Sequence, residues 1–158
     1  MTDAPDKIEA KVTHRFAASP ETLFEAMTDP AQVERWQKAW LVQGGLPGEM
    51  TRCEIDPREG GAFLYADLRD GEEARHWGRF LTLERPHKIR HTWIVDADEE
   101  DDPSIVTIVI EPAPEGTGSV VTLYHEMDAQ WAEYRERTEK GWSTMLAAIE
   151  TVLDAPAA

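Results

Sequence analysis

The chain has 158 residues, of which 31 are acidic and 16 basic, for a net charge of −15. That length suits one domain with one core, and a hydrophobic fraction of 41% supplies enough apolar surface to fill it. The charge repels phosphate backbones and anionic lipid, so nucleic acid and membrane surfaces are excluded as partners. No apolar run reaches the roughly 20 residues needed to cross a bilayer, and Met1–Lys7 has no apolar signal-peptide region. The single cysteine, Cys53, rules out an internal disulfide. A cytoplasmic location is the default expectation.

Residues 1–6 read as a loose tail, as do 155–158, leaving one domain over 7–154. From Lys7 the residues alternate, with Ile8, Ala10, Val12, His14 and Phe16 on one side, the pattern of a half-buried strand. His14 on that side reads as a hydrogen-bonded core histidine. Ser19-Pro20-Glu21 starts a helix, with serine as cap and proline at the first helical position. Asp29-Pro30 ends it and caps a second short helix through Val33 and Trp36. Gly44-Gly45 and Pro47-Gly48 predict a loop over 39–48.

The middle of the chain predicts an antiparallel meander. Arg52–Ile55, Ala62–Leu68, Glu73–Glu84, Lys88–Val95, Ser104–Ile110 and Val120–Glu126 are strand-like, and turn signals such as Asp70-Gly71 separate them. With no helices in between, the expected sheet is antiparallel, not parallel. The acidic run Asp96–Asp102 lacks the glycine and closing glutamate of a calcium loop and reads as a solvated turn.

Trp131 to Leu153 predicts one long helix, capped by Asp128. Trp131, Tyr134, Thr138, Trp142, Met145, Leu146, Ile149, Val152 and Leu153 recur at spacings of three and four. Gly141 sits mid-helix, where glycine costs about 1 kcal/mol relative to alanine. The favoured explanation is close approach of another backbone; the alternative is room for something bound beside the helix.

Signatures of catalysis are missing. There is no phosphate-binding glycine loop, no Gly-x-Ser-x-Gly elbow and no Cys/His pair at zinc spacing, so no metal, cofactor or catalytic constellation is expected. Nothing near Cys53 argues for a reactive thiolate. Six tryptophans, in contrast, are many for this length. They fill cores, and they also wall pockets for aromatic ligands. His91, Trp93 and Val95 share one strand face, and Val121, Leu123 and His125 share another.

Several local motifs, in order along the chain, resemble the START/Bet v 1-like (SRPBCC) superfamily. Within it they are most similar to the branch related to the C-terminal domain of the activator of Hsp90 ATPase. They include Ala18-Ser19-Pro20-Glu21 with Phe24, Thr28-Asp29-Pro30 with Trp36, Asp56-Pro57-Arg58 with Gly60-Gly61 and Phe63, Gly78-Arg79-Phe80, Thr92-Trp93, and Gly141-Trp142 with Leu146. The resemblance implies an α+β helix-grip fold, a curved antiparallel sheet of about seven strands around the long C-terminal helix. It also implies a cavity between helix and sheet for apolar, lipid-like or polyketide-like molecules. On that basis Trp36, Trp40, Trp77, His91, Trp93, His125, Trp142 and Met145 are expected to border one apolar space. The function expected is small-molecule binding. The alternatives are a chaperone-interaction module, and a cyclase- or hydrolase-like enzyme using His91 or His125 in the same cavity.

Overall fold

The computed structural model describes residues 7–95, 97–101 and 103–154. The two terminal tails expected above, and residues 96 and 102 of the acidic run, lie outside that range. Strand β1 (Lys7–Phe16) is followed by helices α1 (Pro20–Thr28) and α2 (Pro30–Gln43). Strands β2 (Met50–Ile55), β3 (Ala62–Arg69), β4 (Glu72–Glu84), β5 (Lys88–Trp93), β6 (Ser104–Pro112) and β7 (Ser119–Asp128) come next, and helix α3 (Arg135–Asp154) closes the chain. All seven strands form one antiparallel sheet in the order β1-β7-β6-β5-β4-β3-β2. Every connection joins neighbours, as a meander requires, except that from β1 to β2, which passes through α1 and α2 to the opposite edge of the sheet.

Side-chain alternation puts one face of the sheet against α3. Val12 and Phe16 on β1, Val106, Ile108 and Ile110 on β6, and Val121 and Leu123 on β7 are buried, and all belong to the core that Trp142, Met145, Leu146 and Ile149 of α3 complete. Fully burying one such aliphatic chain is worth roughly 1.5–3 kcal/mol. Two polar links fix α3 along the β1 edge. Glu150 Oε1 lies 2.9 Å from His14 Nε2, and the backbone N–H of Lys11 donates to Glu139 Oε2 at 2.9 Å. The second satisfies an edge-strand donor that would otherwise face another chain.

The sheet bends at Gly78. A Cβ there would fall 2.2 Å from the Thr92 carbonyl oxygen and 2.9 Å from Phe63 Cζ, so only glycine fits. Just beyond it, the β4–β5 register shifts between Phe80 and Thr82. Such a bulge, together with the glycine, curls one end of the sheet. The β3–β4 hairpin turns on Asp70 and Gly71, with φ of 53° and 82°, the two positive values that a tight two-residue turn demands. Arg85, in the β4–β5 turn, donates to Glu21 and Glu25 of α1 and lies over the Phe24 ring, so that α1 is tied to the sheet.

Three expectations are corrected. The loop predicted over 39–48 begins only after Gln43. No breaker precedes Gly44, so α2 continues and carries Trp40 on its last turns. Residues Ala129–Tyr134 form a 3-10 segment, not the start of the α-helix. Asp128 does cap it, accepting from the Gln130 N–H at 3.0 Å, and i+3 turns tighten this end. Strand β5 ends at Trp93; Ile94 bridges back to Trp77, and Val95 is exposed.

Gly141 also departs from expectation. A Cβ at this position meets nothing within 4 Å, so no other backbone approaches it. Gly141→Ala is therefore expected to stabilise the protein by about 0.5–1 kcal/mol, through helix propensity and a less flexible unfolded chain. Urea unfolding of the two proteins checks this; a destabilised variant would show that the position is filled.

Candidate functional site

Between α3 and the sheet lies a small chamber of about 50 Å³. Five of the eight expected residues surround it: Trp36 from α2, His91 and Trp93 from β5, and Trp142 and Met145 from α3. Two residues that the sequence reading did not single out join them. Gln37 lies on the buried face of α2, four residues from both Val33 and Leu41, and Tyr65 alternates with Phe63 along β3. Those spacings were the available signals.

The remaining three expected residues lie elsewhere, which corrects the notion of one shared space. Trp40 packs beside the core and donates its indole N–H to Thr144 Oγ1 of α3 at 3.1 Å. Trp77 follows His76 in β4. His76 stacks inward on Trp93, with ring centroids 5.1 Å apart, so alternation turns Trp77 outward. There it borders an open depression of about 640 Å³ with Arg75 and Arg79. His125 lies beyond Trp142 and faces a second, open cleft of about 530 Å³.

That cleft opens at the start of α3. Its floor is Trp93, Ser104 and His125, and its rim includes Val95, Trp131 and Tyr134. Among the described residues five large hydrophobic side chains are exposed, and these three are among them, at 50%, 44% and 39%. Trp93 is the wall common to the cleft and the chamber.

A hydrogen-bonded chain runs behind this wall. Trp142 Nε1 donates to His125 Nδ1 at 2.8 Å. Because an indole N–H only donates, Nδ1 is the acceptor and the imidazole proton sits on Nε2. His125 Nε2 then donates to Ser104 Oγ at 2.9 Å, and Ser104 donates to the Trp93 carbonyl at 2.8 Å. Both His125 nitrogens are thus engaged. His91 differs. Its Nδ1 donates to the Thr92 carbonyl at 2.8 Å, which leaves Nε2 as a lone-pair acceptor.

Burial keeps these rings neutral. Desolvation pushes His91 down to about 4, although its bond to Thr92 opposes the shift. His125 falls to about 4 through desolvation and the nearby His91, and His76 to about 4 through desolvation and the Arg69 charge. Burial raises the Tyr65 phenol, which stays protonated, and pushes the Cys53 thiol up to about 11, which keeps it from acting as a thiolate. Among the described residues no three His, Cys, Asp or Glu side chains converge to hold a metal ion.

A curved antiparallel sheet gripping a long C-terminal helix, with a chamber between them, defines a helix-grip protein. The chain belongs to the Activator of Hsp90 ATPase homolog 1-like protein family, which matches residues 17–154. Its fold is similar to that of a Rhodobacter sphaeroides protein, with a TM-score of 0.75 and 23% identity over 96% of this chain and 94% of that one. It is also similar to a Mycobacterium smegmatis protein, with a TM-score of 0.71 and 20% identity over 95% of this chain and 93% of that one. An Hsp90 activator from Plasmodium falciparum matches with a TM-score of 0.66 and 25% identity over 94% of this chain and 97% of that one. No curated protein matches the sequence significantly. No helix among the described residues is long and apolar enough to cross a membrane.

The buried histidines set a pH dependence. Their folded-state values lie below the ordinary value of about 6.5, so the unfolded chain binds more protons between about pH 6.5 and 4. The stability they contribute is complete above about pH 6.5 and is lost as pH falls through that window. Protonating His125 also turns Nδ1 into a donor facing the Trp142 N–H. Urea unfolding at pH 7.5 and 5.5, above the main carboxylate titration, is expected to show lower stability at 5.5. Stability that is unchanged or higher at pH 5.5 would contradict neutral buried rings.

Proposed function

We propose that this protein binds a small, uncharged apolar or aromatic molecule in the cleft at the start of α3, with the chamber behind Trp93 as its inner end. The observation that carries this reading is the clustering of exposed Val95, Trp131 and Tyr134 around one concave opening floored by Trp93. Apolar side chains left exposed around a concavity are the usual mark of a binding groove. A volume of about 530 Å³ also falls in the range of small-molecule sites. Net charge disfavours anions, and Asp98 and Asp128 on the cleft wall add to that.

Binding is better supported than turnover. General acid/base catalysis favours a group that titrates near working pH. His125 has both nitrogens committed, and His91, held near 4, is a weak base at neutral pH. A chaperone-regulating module is the second reading. It is favoured by the family and by the likeness to the Plasmodium Hsp90 activator, and it is tested by whether the protein raises the ATPase rate of Hsp90.

The uncharged probe N-phenyl-1-naphthylamine is expected to bind saturably and to quench tryptophan emission. Trp131→Ala should weaken it several-fold with little change in melting temperature, because Trp131 is exposed and its loss leaves the core intact. No saturable binding to the parent, or equal binding to the variant, would overturn the reading.

A further inference from the structure

We propose that the inner chamber is a subsite for the hydroxyl of an uncharged aromatic alcohol, a phenol- or naphthol-like molecule, which donates to His91 Nε2 and accepts from Tyr65 or Gln37. This rests on the cleft reading above and specifies the chemical class of its ligand.

The argument starts from unused hydrogen-bonding capacity. Among the described residues, every side-chain nitrogen or oxygen sealed from solvent has a partner. Among the described residues the Gln37 amide, the Tyr65 hydroxyl and His91 Nε2 have no hydrogen-bond partner, so each must reach accessible space. The chamber is the space that all three border. Gln37 and His91 are only 7% and 8% exposed, so these are built-in polar points in an apolar core. Leaving such groups unpaired in a core is costly, which is why they are normally matched.

The types of group then select the ligand. His91 Nε2 accepts only, because Nδ1 holds the proton, so the partner must bring an O–H or N–H. Tyr65 and Gln37 can each donate as well as accept, so a partner atom that both donates and accepts uses the capacity of all three. A hydroxyl does both; a ketone, an ether or a carboxylate does not. Among the described residues no charged side chain borders the chamber to offset an anion or a cation. The indoles of Trp36, Trp93 and Trp142 around it suit a flat ring.

Size places the rest of the molecule. About 50 Å³ holds a hydroxyl and a ring edge, whereas a cavity that takes a whole benzene is nearer 150 Å³. The remainder must extend past Trp93 into the cleft. The indole N–H groups of Trp36, Trp40, Trp77 and Trp142 are each tied by a hydrogen bond, to Ala26, Thr144, Glu100 and His125. Among the described residues the Trp93 indole has no such partner. It is held by ring contacts with His76 and Trp142, each at 5.1 Å, and turns without breaking a hydrogen bond.

The test compares 2-naphthol with 2-methoxynaphthalene and 2-naphthoate by tryptophan quenching. The parent protein should bind 2-naphthol about tenfold or more tightly than the methyl ether, since a site built around a hydroxyl discriminates against its analogue, and 2-naphthoate should bind most weakly. In Tyr65→Phe and Gln37→Leu the affinity for 2-naphthol should fall toward that of the ether, while the affinity for the ether stays within about twofold. Equal binding of 2-naphthol and the ether to the parent would mean that the chamber takes only water, and would overturn this inference while leaving the cleft reading intact. Failure of every probe, N-phenyl-1-naphthylamine included, would overturn both. The comparison of ligands on the parent needs no variant, so a variant that fails to fold does not shelter the proposal.

Discussion

The hydrogen-bonded chain from Trp142 through His125 and Ser104 to the Trp93 carbonyl is the constraint on which the interior depends. It is the polar thread that joins α3 to β7, β6 and β5 across an otherwise apolar contact. Each member has a defined role as donor or acceptor, and one proton position satisfies all of them. Buried networks of this kind are costly when half-made and specific when complete. Hydrophobic packing alone allows α3 to slide or turn against the sheet with little penalty; the Trp142–His125 bond allows one rotation and one height. That placement presents the Trp142 ring to Trp93 and makes both of them walls of the chamber.

Two histidines of similar burial then end in different chemical states. His125 and His91 are both kept neutral at ordinary pH by desolvation. His125 spends both nitrogens on structure. His91 spends one, on the carbonyl of its own chain neighbour, and keeps the other facing the chamber. The difference comes from register. His125 pairs across from Val106, one residue from Ile105 and two from Ser104, and so meets the Ser104 hydroxyl near the end of β6. His91 also faces Val106, from the other side of β6, and among the described residues hydrogen-bonds to no hydroxyl. Chemistry in this protein is therefore decided by which strand positions carry a partner, not by how deeply each ring is buried.

Much of this architecture was legible in the sequence, because the signals involved are local and repeated. Two-residue alternation marked the strands. Three- and four-residue spacing marked α3 from Trp142 onward, and Ser19-Pro20 and Asp29-Pro30 marked the helix starts. Legibility ended where the deciding interaction was distant or weak. Glycines at 44 and 45 suggested a loop from 39, yet packing of Trp40 on Thr144 carries α2 five residues further. The aromatic spacing at Trp131 and Tyr134 matched a helix face that the core never covers. Trp77 was assigned to the wrong side because the sequence does not say that its neighbour His76 is the one to meet Trp93. Gln37 shares a helix face with Val33 and Leu41, and Tyr65 a strand face with Phe63, and the sequence reading named neither face. The discordant polar group within each pattern was the signal that went unread.

The distribution of charge completes the picture. The chain is strongly acidic, yet most ion pairs among the described residues lie at the surface, such as Arg85 with Glu21 and Glu25, Lys38 with Glu34, and Arg52 with Glu54, while Asp67, paired with Arg69, is buried. Exposed pairs of this kind contribute about 0–1 kcal/mol each, and they set solubility and long-range repulsion more than fold. None of that charge reaches the chamber, where selection falls to neutral donors and acceptors. The fold itself is common to proteins that share only 20–25% of their residues with this chain. A scaffold tolerant of that much change does not determine a ligand. What distinguishes this member must lie in the few positions where the apolar pattern is broken from inside, and Gln37, Tyr65 and His91 are three such positions around one space.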